Sequence, residues 1–201
     1  MAQIRKICVY CGSSAGTDPA YVAAATRFGE ILAEAGIGLV YGGGSAGVMG
    51  ALARAVQARG GEITGVIPEF LSVKENTFRG ATEVVVTHGM HDRKQIMFER
   101  SDAFVALPGG IGTLEELVEQ LTWAQLGRHK KPILIANLKG FWDGLLGLLD
   151  HMQLAGYIHS TSQMNFLVVD DVEAILPSLR RAAAAVSEEE KAGEPETVER
   201  M

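Results

Sequence analysis

Cysteine is almost absent from this chain: Cys8 and Cys11 are the only two. Their C-x-x-C spacing is that of a redox pair, but such a pair has its second cysteine opening a helix. Here the next helix signal, Asp18-Pro19, comes seven residues later, and Cys8 lies inside the apolar run ICVY. Cys8 therefore reads as a small core residue. Two thiols are also too few for a four-ligand zinc site, and no histidine stands beside them at ligand spacing. Positive charge is short as well. Eighteen Lys and Arg face 24 Asp and Glu, a formal net charge of −6. That balance excludes a nucleic-acid groove, which needs clustered cations to hold phosphates. No apolar run approaches the roughly 18–20 residues that span a bilayer, so no membrane role is expected. The apolar stretch in MAQIRKICVYCGSS is too short for a signal peptide, which makes the cytoplasm the expected location. The P-loop pattern G-x-x-x-x-G-K-[ST] is missing. The five histidines form no i, i+4 pair on one helix face and read as surface or turn residues.

What the chain does have is alternation. Short Val/Ile/Leu runs at 4–10, 37–41, 62–67, 82–87, 103–107, 132–137 and 165–169 are separated by segments of helical period. Helices are expected from Asp18-Pro19 to Gly36, and over 46–60, 90–100, 113–127, 141–156 and 171–186, with Pro177 able to start a turn or kink the last one. Repeated β-α units with near-continuous apolar strands mean a parallel sheet covered on both faces. The expected fold is α/β: a single doubly wound, Rossmann-like domain of about seven parallel strands over residues 1–186. The stretch 187–201, charged and poor in anything to bury, is expected to be a disordered acidic tail.

Ligands of such sheets bind beyond the carboxyl ends of the strands. Three loops at that edge are rich in glycine or serine: CGSSAGTD (11–18), YGGGSAGVMG (41–50) and LPGGIGTLEE (107–116). Bare backbone N–H groups together with a helix N-terminus suit a phosphate. GGGSAG also satisfies G-x-G-x-x-G, which opens a dinucleotide reading. That fingerprint normally follows the first strand, however, and its acidic residue closes the next one. Here the motif follows the second strand, and Glu62 opens its strand. A tight turn with close helix packing accounts for it as well. Thr113-Leu114-Glu115-Glu116 has the form of a capping box, and Glu115 and Glu119 that of a solvated acidic stripe. In MHDRKQIMFER, residues Met90, Arg93 and Met97 share one helix face with Lys94 at its edge. An inward arginine must meet an anion, either a structural carboxylate or a bound phosphate. Arg93 and Glu116 could then flank one cleft.

MHDRK at 90–94 followed by PGGIGTLEE at 108–116, with CGSS, YGGGSAGVMG and GVIP (65–68), resembles the signature of the Lonely Guy (LOG) family of cytokinin-activating phosphoribohydrolases, also labelled lysine decarboxylase-like. The similarity runs over residues 4 to 180. It implies hydrolysis of the N-glycosidic bond of an adenosine 5'-monophosphate derivative, releasing free base and ribose 5-phosphate. By the same resemblance Arg93 and Glu116 match the catalytic pair, and Gly109, Gly110, Gly112 and Thr113 match a phosphate loop. Met90 and Lys94 match nucleotide contacts; Ser14, Gly43 and Gly44 border the site, and Glu75 faces the base. A homodimer with composite active sites is implied, and no metal or organic cofactor. Segment 76–88 departs most from the family pattern. The decarboxylase label has little to rest on, since that reaction needs pyridoxal phosphate on a Schiff-base lysine. A non-catalytic nucleotide or cofactor carrier on the same fold is the alternative.

Overall fold

The computed structural model describes residues 4–72, 77–158 and 166–193. Seven strands make one sheet: β1 (Lys6–Tyr10), β2 (Gly38–Tyr41), β3 (Ile63–Pro68), β4 (Glu83–Thr87), β5 (Ala103–Ala106), β6 (Ile133–Ala136) and β7 (Phe166–Val169). Every neighbouring pair is parallel, in the order β4-β3-β2-β1-β5-β6-β7. The helices are α1 (Pro19–Glu34), α2 (Gly47–Ala58), α3 (Glu69–Ser72), α4 (Met90–Glu99), α5 (Ile111–Gln125), α6 (Asp143–Leu154) and α7 (Ile175–Gly193). Single 3-10 turns occupy Leu138–Gly140 and Val172–Ala174.

The expected α/β architecture follows from strand parity. Ile7 and Val9 pack with Phe28, Leu32, Leu52, Val56 and Leu179, the apolar stripes of α1, α2 and α7. Cys8 and Tyr10 point the other way, toward Met97, Leu117, Leu121 and Leu149 of α4, α5 and α6. Both faces of β1 are thus dry, which is why it reads as an unbroken apolar run. Cys8 is a core residue as expected, and Cys11 is buried in the opposite layer. Both thiols are free, and burial pushes both well above the usual thiol range.

Local chemistry sets most element ends. Asp18 accepts the N–H of Ala20 at 2.9 Å and Pro19 occupies the first position of α1, so the cap read from Asp18-Pro19 is real. Directly after Pro68 the chain forms α3, a single turn. Pro177 sits in the first turn of α7, where its missing N–H has no helical acceptor to lose, so the helix is not broken there. That helix runs on to Gly193, past residue 186; residues 194–201 lie outside the described residues. No described helix is long and apolar enough to cross a membrane.

The strand order places the site. From β1 the chain steps out through β2, β3 and β4, then returns to lay β5 against the other side of β1. Loops after β1 and β5 consequently leave the sheet in opposite directions and open a crevice between them.

Candidate active site

The three glycine-rich loops meet at this crevice. The N–H of Gly12 donates to the carbonyl of Pro108 at 3.1 Å, and the N–H of Met49 donates to that of Gly12 at 3.0 Å. A Cβ on Gly12 would lie 3.1 Å from the carbonyl oxygen of Ser14 and 3.3 Å from the Cα of Gly109, a tight approach of backbones that glycine relieves. Ser14 is exposed, and its carbonyl accepts the N–H of Val48 at 3.4 Å. A cavity of about 440 Å³ lies between the loops, walled by Ser13, Ser14, Thr17, Tyr21, Gly109 and Gly110.

At the entrance to α5 the glycines have different reasons to be there. A Cβ on Gly109 would collide with the Thr113 hydroxyl, whereas at Gly110 and Gly112 it would meet nothing within 4 Å. Helix α5 starts at Ile111 behind the N-cap Gly110, which makes no side-chain cap hydrogen bond. This overturns the capping box. Thr113 is already inside the helix and is buried against Gly109, so it cannot serve as N-cap, and the Glu116 carboxylate is engaged elsewhere.

That engagement is with Arg93. Helix α4 follows β4 through the N-cap Gly89, and the 3.6-residue period turns Met90, Arg93 and Met97 inward, with Met97 fully buried. The Arg93 Nε donates to the carbonyl of Val66 at 3.0 Å, and Nη1 lies 3.0 Å from Oε1 of Glu116 and 4.0 Å from the Met90 sulfur. Arg93 is 8% and Glu116 7% exposed. The anion that an inward arginine demands is therefore a carboxylate of α5. Gly42 completes the seat: a Cβ there would collide with Nη2 of Arg93 and come within 3.2 Å of the Met49 sulfur. Burial raises the Glu116 carboxyl to about 6; Arg93 and Lys94 oppose the rise, and Glu115 and Glu119 add to it.

Lys94, matched above to a nucleotide contact, meets two carboxylates of α5. It is 8% exposed, and its Nζ donates to Glu115 at 2.5 Å and to Glu119 at 2.9 Å. Burial pulls its ammonium down, but the two carboxylates outweigh burial and hold it above the usual lysine value. Glu115 and Glu119 are accordingly bound to α4 and do not form a free solvated stripe. Gly43 and Gly44 are tied to the chain behind them. The carbonyl of Gly43 accepts the N–H of Phe78 at 2.9 Å, and Gly44 bridges Thr77. Glu75 lies outside the described residues. The dinucleotide reading loses its footing here. Gly42 and Gly47 are filled by the protein's own Arg93 and Ser13, and Glu62, at the far end of β3, pairs with Lys6 at 2.5 Å.

The roles of Gly42, Gly12 and Glu119 were missed from sequence. A signal existed for Glu119, which lies i+3 from Glu116 and i+4 from Glu115; the other two depend on which chain segment approaches in space. Among the described residues no group of three or more His, Cys, Asp or Glu could hold a metal ion.

Residues 49–179 match the protein family described as "Possible lysine decarboxylase". The chain is 50% identical over 157 residues to the cytokinin riboside 5'-monophosphate phosphoribohydrolase LOG of Oryza sativa subsp. japonica, an alignment that spans 78% of this chain and 65% of the rice protein. It is 41% identical over 196 residues to the probable cytokinin riboside 5'-monophosphate phosphoribohydrolase LOG4 of the same organism, spanning 98% of this chain and 85% of the other. The chain belongs to the Lonely Guy family. Its family-matching stretch holds Met90, Arg93, Lys94 and the whole 109–116 loop, while Ser14, Gly43 and Gly44 precede it. The Lonely Guy fold also superposes on the molybdenum cofactor carrier protein of Chlamydomonas reinhardtii with a TM-score of 0.68. Identity there is 24%, over 90% of this chain and 99% of that one, a likeness of fold alone.

Proposed function

We propose that this chain hydrolyses the N-glycosidic bond of adenosine 5'-monophosphates, with or without an N6 substituent, to free base and ribose 5-phosphate. The observation that carries the proposal is the buried Arg93–Glu116 pair beside a glycine loop whose Gly110 and Gly112 face open space. Breaking a ribosyl–purine bond builds positive charge on the sugar and negative charge on the departing base. The Glu116 carboxylate stabilises the sugar cation and orients or deprotonates the attacking water. Arg93 keeps its proton and acts by donating hydrogen bonds to phosphate or leaving group. Backbone N–H groups at residues 109–113 hold the 5'-phosphate at the N-terminus of α5, fixing the sugar against Glu116. Met90, Ser14, Gly43 and Gly44 border that position. The buried ion pair supports the same division of labour: it keeps both groups charged and aimed before substrate arrives. The names of the rice relatives point to the same bond.

A Schiff-base lysine needs a depressed ammonium pKa. Lys94, beside the pair, is held above its usual value, which speaks against the decarboxylase description. An apolar patch where Ile111 of α5, 81% exposed, meets Phe141 just before α6 and Leu148 on it supports assembly as a homodimer with composite sites.

The test is incubation of the purified protein with AMP and with isopentenyladenosine 5'-monophosphate, followed by chromatography for free base. Release from at least one nucleotide is expected, and Glu116→Gln should lower turnover by about 10²–10³ while AMP binding persists. Folded protein that releases no base from either nucleotide, or that retains a ligand without cleaving it, sinks the proposal.

A further inference from the structure

We propose that Lys94 is a positioning residue and not a ligand of the nucleotide: it clamps Glu115 and Glu119 and so lets Glu116 stay ionised between them. The inference rests on the reading of Glu116 as the group that works in its charged form. Helix α5 carries three carboxylates within five residues, and Glu115 and Glu119 stand at i, i+4, where like charges repel. A single ammonium from α4 reaches both, at 2.5 and 2.9 Å, from a side chain with almost no solvent contact. Two of the three ammonium N–H donors are thereby committed to carboxylates of α5.

Glu116 is surrounded by a short list of charged and titratable groups. Arg93 and Lys94 face it from α4, Glu115 and Glu119 from its own helix, and Cys8, Tyr10 and Cys11 from β1 and its following residue. Burial holds the two thiols and the phenol neutral, so they leave the balance to the five charged groups. Arg93 compensates Glu116 directly, and Lys94 compensates the other two. Without Lys94, two uncompensated negative charges would oppose ionisation of a carboxylate already hindered by burial.

The test follows the Glu116 carboxyl by ¹³C NMR in substrate-free protein, its signal assigned by its loss in Glu116→Gln, alongside the pH profile of kcat/KM for AMP. In Lys94→Met the titration midpoint of Glu116 should rise. The ratio of activity at pH 6 to that at pH 8 should fall about fivefold further than in the unsubstituted protein, roughly what a rise of one pH unit from a midpoint of about 6 produces. KM for AMP at pH 8 should stay within about twofold, because no ligand of the nucleotide is lost. Lys94→Arg should keep the original profile, and Lys94→Met combined with Glu115→Gln and Glu119→Gln should restore it. Should Lys94→Met fail to fold, Glu115→Gln with Glu119→Gln and Lys94 retained must lower the Glu116 midpoint. An unmoved midpoint in these folded variants overturns the inference. So does a tenfold or larger rise in KM with the pH profile in place, which would return Lys94 to the nucleotide. The NMR titration needs no turnover, so a protein that cleaves neither nucleotide would defeat the proposed reaction without deciding this point.

Discussion

Two glycine-rich loops at the same edge of the sheet use their glycines in opposite ways. In the loop after β2, a Cβ at Gly42 would strike the Arg93 guanidinium and one at Gly47 the backbone of Ser13 and Ser14. Those positions are bare because another part of the protein already fills the space. In the loop after β5, Gly110 and Gly112 have nothing within 4 Å of where a side chain would begin. No fold requirement keeps them bare, so the requirement is assigned to the ligand. A glycine-rich stretch is therefore ambiguous until its neighbours are known: one loop is packed against the protein itself, and the other faces open space where the substrate is proposed to sit.

The sharpest way to break this contrast is substitution in the packed loop. Gly42→Ala leaves an ordinary backbone but displaces the guanidinium that faces Glu116, and misplacing a catalytic group by about 1 Å can cost on the order of 10² in rate. Turnover should fall by that factor, with KM for the nucleotide changing far less. Gly47→Ala adds a backbone collision to a φ of +58°. Urea unfolding should show it destabilised by well over about 1 kcal/mol. If Gly42→Ala turns over normally, the Arg93–Glu116 geometry is not what the reaction needs.

Substitution in the open loop should behave differently and more mildly. Gly110→Ala and Gly112→Ala meet no protein atom, so stability should stay within about 0.5 kcal/mol. A methyl group in the path of the phosphate should raise KM for AMP roughly tenfold, as expected when a close backbone approach worth about 1.4 kcal/mol is lost. Equal loss of stability in Gly110→Ala and Gly47→Ala would erase the distinction between the loops.

The same contrast marks what could be read from sequence. Strand and helix order was legible because each β-α unit carries its own periodicity, and the inward turn of Arg93 was legible because Met90 and Met97 flank it at helical spacing. The partner of Arg93 was not. Thr113-Leu114-Glu115-Glu116 fits a local cap, and only the packing of α4 against α5 decides that Glu116 faces a guanidinium instead. Helix α5 also begins two residues earlier than its pattern indicates, since Gly110 can enter the helix without a side-chain cap while Thr113 is held against Gly109. Lys94 shows the limit most plainly. Its motif resembles a nucleotide contact and says nothing of the two carboxylates, 21 and 25 residues away, that its ammonium meets.

The smallest effect concerns acid. With the Glu116 carboxyl raised to about 6, first by burial and against the pull of Arg93, half of the ionised form is lost near that pH. The kcat/KM of the free enzyme should therefore be halved near pH 6 and fall about tenfold for each pH unit below it. Stability moves the other way for this group. Its folded value lies above its unfolded value of 4.5, so the stabilising contribution is fully present below pH 4.5 and is lost as pH rises through about 6. Acidifying from pH 8 to pH 5 should thus inactivate the protein while Glu116 itself makes the fold more stable. Activity should return in full on neutralisation, and circular dichroism at pH 5 should show native structure. Loss of activity that instead tracks loss of helical signal would mean that the acid limb reports unfolding and not the protonation of Glu116.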